Sequence, residues 1–121
     1  MAFNKETIIA EKFETFITDN IMNTRAKDFY DLYILLTRFY DELNKDTLVK
    51  ATKNTFKRRE TNFDIEKIVK TFDLIKDNEK LRKNFKNYKN KKSYVENIDY
   101  DDVMDSINLI IELLEEELMV I

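Results

Sequence analysis

The pattern of apolar and polar positions along the chain predicts six helices. Apolar residues recur at spacings of three and four, which is the period of an amphipathic helix. The first predicted helix runs from about Lys5 to Asp19, the polar stretch Asn20–Thr24 breaks it, and the second runs from Arg25 to Leu43. The second helix is apolar nearly all round, so we expect it to be central.

Aspartate residues mark the starts of the other four helices, because their side chains accept hydrogen bonds from free helical N–H groups. Asp46 is the predicted N-cap of a third helix that ends near Arg59. The fourth, fifth and sixth helices are predicted to open at Asp64, Asp77 and Asp99. The pattern therefore predicts an all-α fold, a single compact bundle of about six helices spanning residues 1–121.

Composition supports this fold class, because the chain contains no Gly and no Pro. Hairpin turns and phosphate-cradling loops need backbone positions that favour Gly, so β-rich folds and Gly-dependent nucleotide motifs are disfavoured. A length of 121 residues with 43% hydrophobic residues suits one domain with its own core. The Asn- and Lys-rich run 84–93 is the segment we expect to be a mobile loop.

Several chemistries are excluded by residues that the chain lacks. There is no Cys and no His, so thiolate catalysis, disulfides and histidine metal ligation are unavailable, and no metal site is predicted. No stretch is long and apolar enough for a transmembrane helix or a signal peptide, which predicts a cytoplasmic protein without a membrane partner.

Two charges fall where apolar residues belong. Lys12 lies between Ile8 and Phe16 on the buried arc of the first helix, and Asp28 lies in the apolar stripe of the second, with Asp31 at its edge. Buried charges need partners, so we expect the two helices to pack with Lys12 facing Asp28 or Asp31. This pair is either a buried structural salt bridge or part of a phosphate and metal site.

The same residues carry a family resemblance. Ala10-Glu11-Lys12, followed by an Arg and then Lys27 to Tyr33, resembles the third and fourth motifs of AbiEii-type nucleotidyltransferase toxins of type IV toxin–antitoxin and abortive-infection systems. The match is best over residues 5–36, and the rest resembles the C-terminal helical half of those proteins. The resemblance implies that Lys12 and Asp28 or Asp31 lie at a nucleotide site.

In that family, a Gly-rich motif and a paired-Asp motif complete the site and hold the metal ions. This chain has no Gly and begins almost at the third motif, so we expect it not to transfer nucleotides alone. It would therefore not be an enzyme by itself. Nucleoside triphosphate and Mg²⁺ are expected as cofactors only if another domain completes the site.

A basic segment with interleaved aromatic residues is the first candidate contact surface. Cations and aromatic rings together can bind nucleic acid, although the alternative is a solvated helix face whose aromatic residues point into the core. RNA is therefore one candidate partner. The seven cations are Lys80, Arg82, Lys83, Lys86, Lys89, Lys91 and Lys92, and a second basic cluster is Lys50, Lys53, Lys57, Arg58 and Arg59.

An acidic run near the C-terminus is the second candidate surface. Acidic side chains at a helix C-terminus interact unfavourably with the helix dipole, so the dipole does not explain this run. The run also precedes the apolar residues 119–121, and it could dock on a basic protein partner. The alternative is a solvated surface with the tail folded onto the core. The acidic residues are Glu112, Glu115, Glu116 and Glu117.

Two functions remain open at this point. The first is a non-catalytic interaction protein, derived from the helical half of a toxin, that binds and blocks a macromolecular partner in phage–host conflict, for example a CRISPR effector or another nuclease. The second is a C-terminal domain or split subunit that completes a nucleotide and Mg²⁺ site and contacts RNA. The sequence leaves the partner's identity and the oligomeric state open.

Overall fold

The structure, a computed structural model, describes residues 4–18, 26–95 and 97–119, without the side chains of Tyr94, Leu118 and Met119. The predicted break at 20–24, the predicted helix start at Arg25 and the tail residues 120–121 lie outside this description. Within it the fold is all-α, with no strand. The six helices are α1 (Lys5–Thr18), α2 (Ala26–Arg38), α3 (Lys45–Arg58), α4 (Ile65–Lys76), α5 (Glu79–Lys91) and α6 (Tyr100–Met119).

The helices share one hydrophobic core, to which each contributes buried residues. Helix α1 packs mainly on α3 and α2, while α2 also packs on α6 and α5. Helix α6 contacts α2, α3, α4 and α5, and it buries more of its length than α2 does. The second helix is therefore central, as predicted, and it shares the centre of the bundle with α6.

Helix α2 is shorter than the apolar pattern predicts. It ends at Arg38, and residues Tyr40–Glu42 form a separate 3₁₀ turn. Tertiary contacts hold this turn: the Lys5 ammonium lies 4.7 Å from the centre of the Phe39 ring and 3.1 Å from a carboxylate oxygen of Glu42. Such contacts override a local helical pattern, since propensity is only a weak constraint.

Two of the predicted caps are displaced by one or two residues. Asn44, not Asp46, accepts the N–H of Thr47 at the start of α3, and Asn78, not Asp77, accepts the N–H of Leu81 at the start of α5. Asn caps a helix as well as Asp does, and both predictions overlooked it. Asp64 caps α4 as predicted.

The predicted loop 84–93 is wrong, because its residues up to Lys91 belong to α5. Leu81 and Phe85 explain the difference: they are 4% and 1% exposed and anchor this very polar helix in the core. Two buried side chains one turn apart are enough to fix a helix whose other face is solvated. Of the predicted loop, Lys92 and Ser93 lie beyond α5, and Ser93 begins the 3₁₀ turn Ser93–Val95.

Candidate functional site

The charges of Lys12, Asp28 and Asp31 meet between α1 and α2. The Lys12 Nζ atom lies 3.9 Å from an Asp28 carboxylate oxygen and 3.6 Å from one of Asp31. The predicted pairing is therefore present. The predicted burial is wrong, because the three side chains are 29%, 32% and 28% exposed.

The contacts of Lys12 are electrostatic and not hydrogen bonds. Both exceed the distance at which an ammonium donates to a carboxylate. Asp31 instead accepts a hydrogen bond of 2.9 Å from Lys27, one helical turn away. Asp28 lies in the first turn of α2, where a negative charge also favourably opposes the helix dipole. Lys12 is thus held near two anions but keeps its hydrogen-bond donors.

An open cleft of about 240 Å³ runs beside this group. Its walls come from α1, α2 and the C-terminal end of α3. The charged residues that line it are about one-third exposed, whereas the lining rings of Phe16 and Phe29 are buried. Phe16 and Phe29, which pack edge to face with ring centres 5.3 Å apart, belong to the core. The lining residues are Ile8, Glu11, Lys12, Thr15, Phe16, Asp28, Phe29, Leu32 and Arg59.

A buried carboxylate beside the cleft was missed in the sequence. The side chain of Glu14 is only 4% exposed. Its two oxygens accept hydrogen bonds of 2.7 Å, one from Arg59 Nη1 and one from the Thr61 hydroxyl. The available signal was its position, four residues after buried Ala10 and three before buried Ile17.

The backbone after α3 presents both partners of Glu14. Among the described residues, Glu60 is the one with a positive φ, and its value of 57° lies in the left-handed region. The Glu60 N–H donates to the carbonyl of Lys57, and the Thr61 N–H donates to that of Phe56, which together form a Schellman motif. A Glu occupies the position that usually favours Gly. The turn therefore fixes the backbone of Arg59 and Thr61, the two neighbours of Glu60 that donate hydrogen bonds to Glu14.

A second ion pair joins the same helices. Glu11 accepts a hydrogen bond of 2.8 Å from Arg58 Nη2. Glu11 is 32% exposed and lines the cleft, whereas Arg58 lies outside it. The two arginines that end α3 are thus paired with two acids of α1, one exposed and one buried.

The described residues contain no cluster of acidic side chains that could hold a metal ion on its own. No group of three or more Asp and Glu side chains comes close enough to coordinate one within them. Asp28 and Asp31 face cations instead. We therefore assign no metal to this cleft.

The basic segment of α5 divides into paired and unpaired cations. Arg82 donates to Asp101 at 3.0 Å, and Lys89 donates to Asp99 at 2.6 Å. Phe85 is buried in the core, so it is not accessible for base stacking. The other cations form no ion pair with a residue that the structure describes; they are Lys80, Lys83, Lys86, Lys91 and Lys92.

The four acidic residues near the C-terminal end of α6 are exposed, and two of them have partners. Glu117 pairs with Lys53 of α3, and Glu112 accepts a hydrogen bond of 3.1 Å from Asn108. Glu115 and Glu116 have no ion pair within the described residues. The apolar tail to which this run leads lies outside the description, so the predicted acidic docking face is neither supported nor contradicted.

Three groups on α5 and around the start of α6 have shifted pKa values. The hydrogen bond from Lys89 lowers the pKa of Asp99, and the hydrogen bond to Asp101 raises the pKa of Arg82. Burial raises the pKa of Tyr100, whose hydroxyl donates to the Ile75 carbonyl at 2.6 Å. These groups stabilise the bundle and lie outside the cleft.

The fold and the cleft define an all-α protein with a charged, open cleft between α1, α2 and the end of α3. Residues 1–106 match the family model described as the nucleotidyl transferase AbiEii toxin of the type IV toxin–antitoxin system, and the chain therefore belongs to that family. No curated protein and no solved structure matches the chain. Among the described residues, no helix has the length and apolarity needed to cross a membrane.

Proposed function

We propose that this chain forms the helical wall of a nucleotide site in an AbiEii-type toxin and acts in the cytoplasm. The carrying observation is that Lys12 and Asp28 line an open cleft, with Asp31 3.6 Å from Lys12 Nζ, and that each of the three side chains is about one-third exposed. The family resemblance assigns nucleotide contacts to Lys12 and to Asp28 or Asp31. Lys12 binds a phosphate, and the carboxylates orient its ammonium.

The exposure of these groups favours a ligand site over a buried structural pair. A salt bridge that only stabilises the fold would be expected to hold its charges in close hydrogen bonds. Lys12 has contacts of 3.6 and 3.9 Å and no hydrogen bond to either acid. Exposed pairs of this kind contribute about 0–1 kcal/mol to stability, so stability alone is a weak reason for them. An ammonium with free donors is instead suited to phosphate oxygens.

The other wall of the site is not supplied by these residues. The Gly-rich motif of the family cannot be formed by a sequence without Gly. We propose that a separate domain or subunit supplies that motif and the metal-binding acids. The chain by itself then binds nucleotide weakly and does not transfer it.

Titration of the purified chain with ATP and with GTP tests this proposal, using isothermal calorimetry with and without Mg²⁺. We expect a dissociation constant of about 1 mM or tighter, and at least a tenfold loss in Lys12→Met. Lys5→Met is the matched control, because Lys5 lies on the same helix in an ion pair with Glu42 and outside the cleft. Equal affinity of the Lys12→Met and Lys5→Met variants would contradict the proposal.

A second candidate function is the binding of a macromolecular partner through α5, a protein or an RNA. The observation in its favour is the exposed row of lysines without described ion pairs, since such rows attract polyanions and acidic surfaces. Nothing in the described residues selects a CRISPR effector or another nuclease as that partner. Affinity capture with the wild-type chain and with Lys83→Glu/Lys86→Glu tests it, because a partner retained equally by both rules out this surface.

A further inference from the structure

We propose that Arg59 is a second phosphate-binding residue of the cleft and that buried Glu14 positions it. This inference rests on the proposed function, because it assigns a ligand contact in the same cleft. Arg59 follows the last residue of α3 and lines the cleft, as do Lys12 of α1 and Asp28 of α2. Two cations from different helices thus border one space.

The hydrogen bonds of Arg59 leave one edge of its guanidinium unused. Nη1 donates to Glu14 at 2.7 Å and to the Thr15 hydroxyl at 2.9 Å. The described residues offer no hydrogen-bond partner to Nε or Nη2, and the side chain is 39% exposed. Nε and Nη2 form the side-on pair of parallel donors that binds a phosphate or carboxylate bidentately. A bidentate anion contact therefore remains available.

Glu14 restricts where this free edge can lie. Its carboxylate is 4% exposed and is itself held by the Thr61 hydroxyl at 2.7 Å. The Schellman turn at Glu60 fixes the backbone on both sides, so Arg59 is anchored by its own backbone and by Nη1. Preorganisation of this kind reduces the entropy lost when a ligand binds.

The cleft suits a phosphate chain better than a whole nucleotide. Its volume of about 240 Å³ is below the roughly 300–1,000 Å³ of pockets that enclose a drug-sized ligand. Its two cations come from different parts of the fold, Lys12 from α1 and Arg59 from the end of α3. Each would therefore bind a different anionic group of one ligand. We therefore assign the triphosphate moiety to this cleft and leave the base outside it.

Inorganic triphosphate is the probe that tests this assignment, titrated by calorimetry into the folded wild-type chain. Arg59→Lys keeps the positive charge beside Glu14. A lysine ammonium cannot bind Glu14 and also offer a pair of parallel donors to a phosphate, so we expect about a tenfold or greater loss of affinity. Lys57→Gln is the control, because it removes a cation from the same helix end outside the cleft. We expect its affinity to stay within about twofold of the wild type.

The positioning role of Glu14 is tested by coupling. We expect Glu14→Gln to weaken triphosphate binding about fivefold when Arg59 is present and less than about twofold when Arg59→Lys is already in place. A merely structural role predicts the same loss in both backgrounds and would overturn the assignment. Circular dichroism on each variant verifies that the helices are formed.

The outcomes separate this inference from the proposed function. If Lys12→Met loses triphosphate binding while Arg59→Lys binds like the wild type, the role of Arg59 is wrong and the nucleotide site stands. If the wild-type chain binds neither triphosphate nor nucleotide, the proposed function itself fails. Loss of binding in both Lys12→Met and Arg59→Lys supports both.

Discussion

The ion pair between Glu14 and Arg59 is unequal, because Glu14 is 4% exposed and Arg59 is 39% exposed. Removing either charge should therefore have different costs. In Arg59→Gln a buried carboxylate is left with the Thr61 hydroxyl as its remaining described partner, and we expect a loss of about 3 kcal/mol. In Glu14→Gln the guanidinium is left at the surface and the amide oxygen can still accept a hydrogen bond, so we expect about 1 kcal/mol.

Urea denaturation followed by circular dichroism measures both free energies of unfolding. Arg58→Gln is the matched control, because its partner Glu11 is 32% exposed and the loss should be below about 1 kcal/mol. The reasoning is refuted if Glu14→Gln costs as much as Arg59→Gln, or if Arg58→Gln equals Arg59→Gln. Either result would mean that burial of the remaining charge does not determine the cost.

Three further changes have expected effects on stability. Glu60→Gly should raise the free energy of unfolding by about 0.5–1 kcal/mol, because Gly relieves the left-handed backbone; thermal denaturation measures it. Tyr100→Phe should lower it by about 1 kcal/mol through loss of the bond to Ile75. Because the folded-state pKa of Tyr100 is raised, its contribution is complete below about pH 10 and lost as the pH rises, so denaturation at alkaline pH should show a smaller difference. The pKa of Asp99 is lowered by Lys89, so the stability lost in Lys89→Met at neutral pH should vanish as the pH falls below about 4.

Each of these changes has a control and a contrary outcome. Glu60→Ala keeps the Cβ atom, so a gain equal to that of Glu60→Gly would argue against backbone strain. For Tyr100, a difference from the Phe variant that stays constant between pH 8 and 11, from about two units below to about one unit above the ordinary tyrosine pKa, would speak against the raised pKa. Lys83 forms no ion pair with a described residue, so Lys83→Met is the control for Lys89→Met. The same acid dependence in both variants would exclude a specific role of the Lys89 contact.

The helical fold could be predicted because local pattern and tertiary packing agree over most of the chain. They disagree at Phe39, where contacts with Lys5 end α2 early, and in α5, where Leu81 and Phe85 outweigh a polar composition. Neither effect is local in the sequence. Helix starts were shifted where Asn44 and Asn78 cap in place of a neighbouring Asp.

The pairing of Lys12 with the α2 acids could be predicted from helical spacing, but its exposure could not. Spacing shows which face a residue lies on, whereas exposure depends on how closely α1 and α2 pack at that height. The resulting cleft also depends on Arg59, which is 47 residues from Lys12 in the sequence. The role proposed for Arg59 depends on the turn at Glu60 and on the buried carboxylate of Glu14, neither of which helical spacing predicts.

The most direct test of the nucleotide site is an NMR titration of the isotope-labelled chain with ATP, which locates the ligand as well as detecting it. We expect the amide signals of Lys12, Asp28 and Asp31 to shift together and to saturate, with half of the change reached at about 1 mM ATP or below. The signals of the exposed α5 lysines should shift little. Shifts confined to α5, or none near Lys12 at saturating nucleotide, would contradict the assignment of the cleft as a nucleotide site.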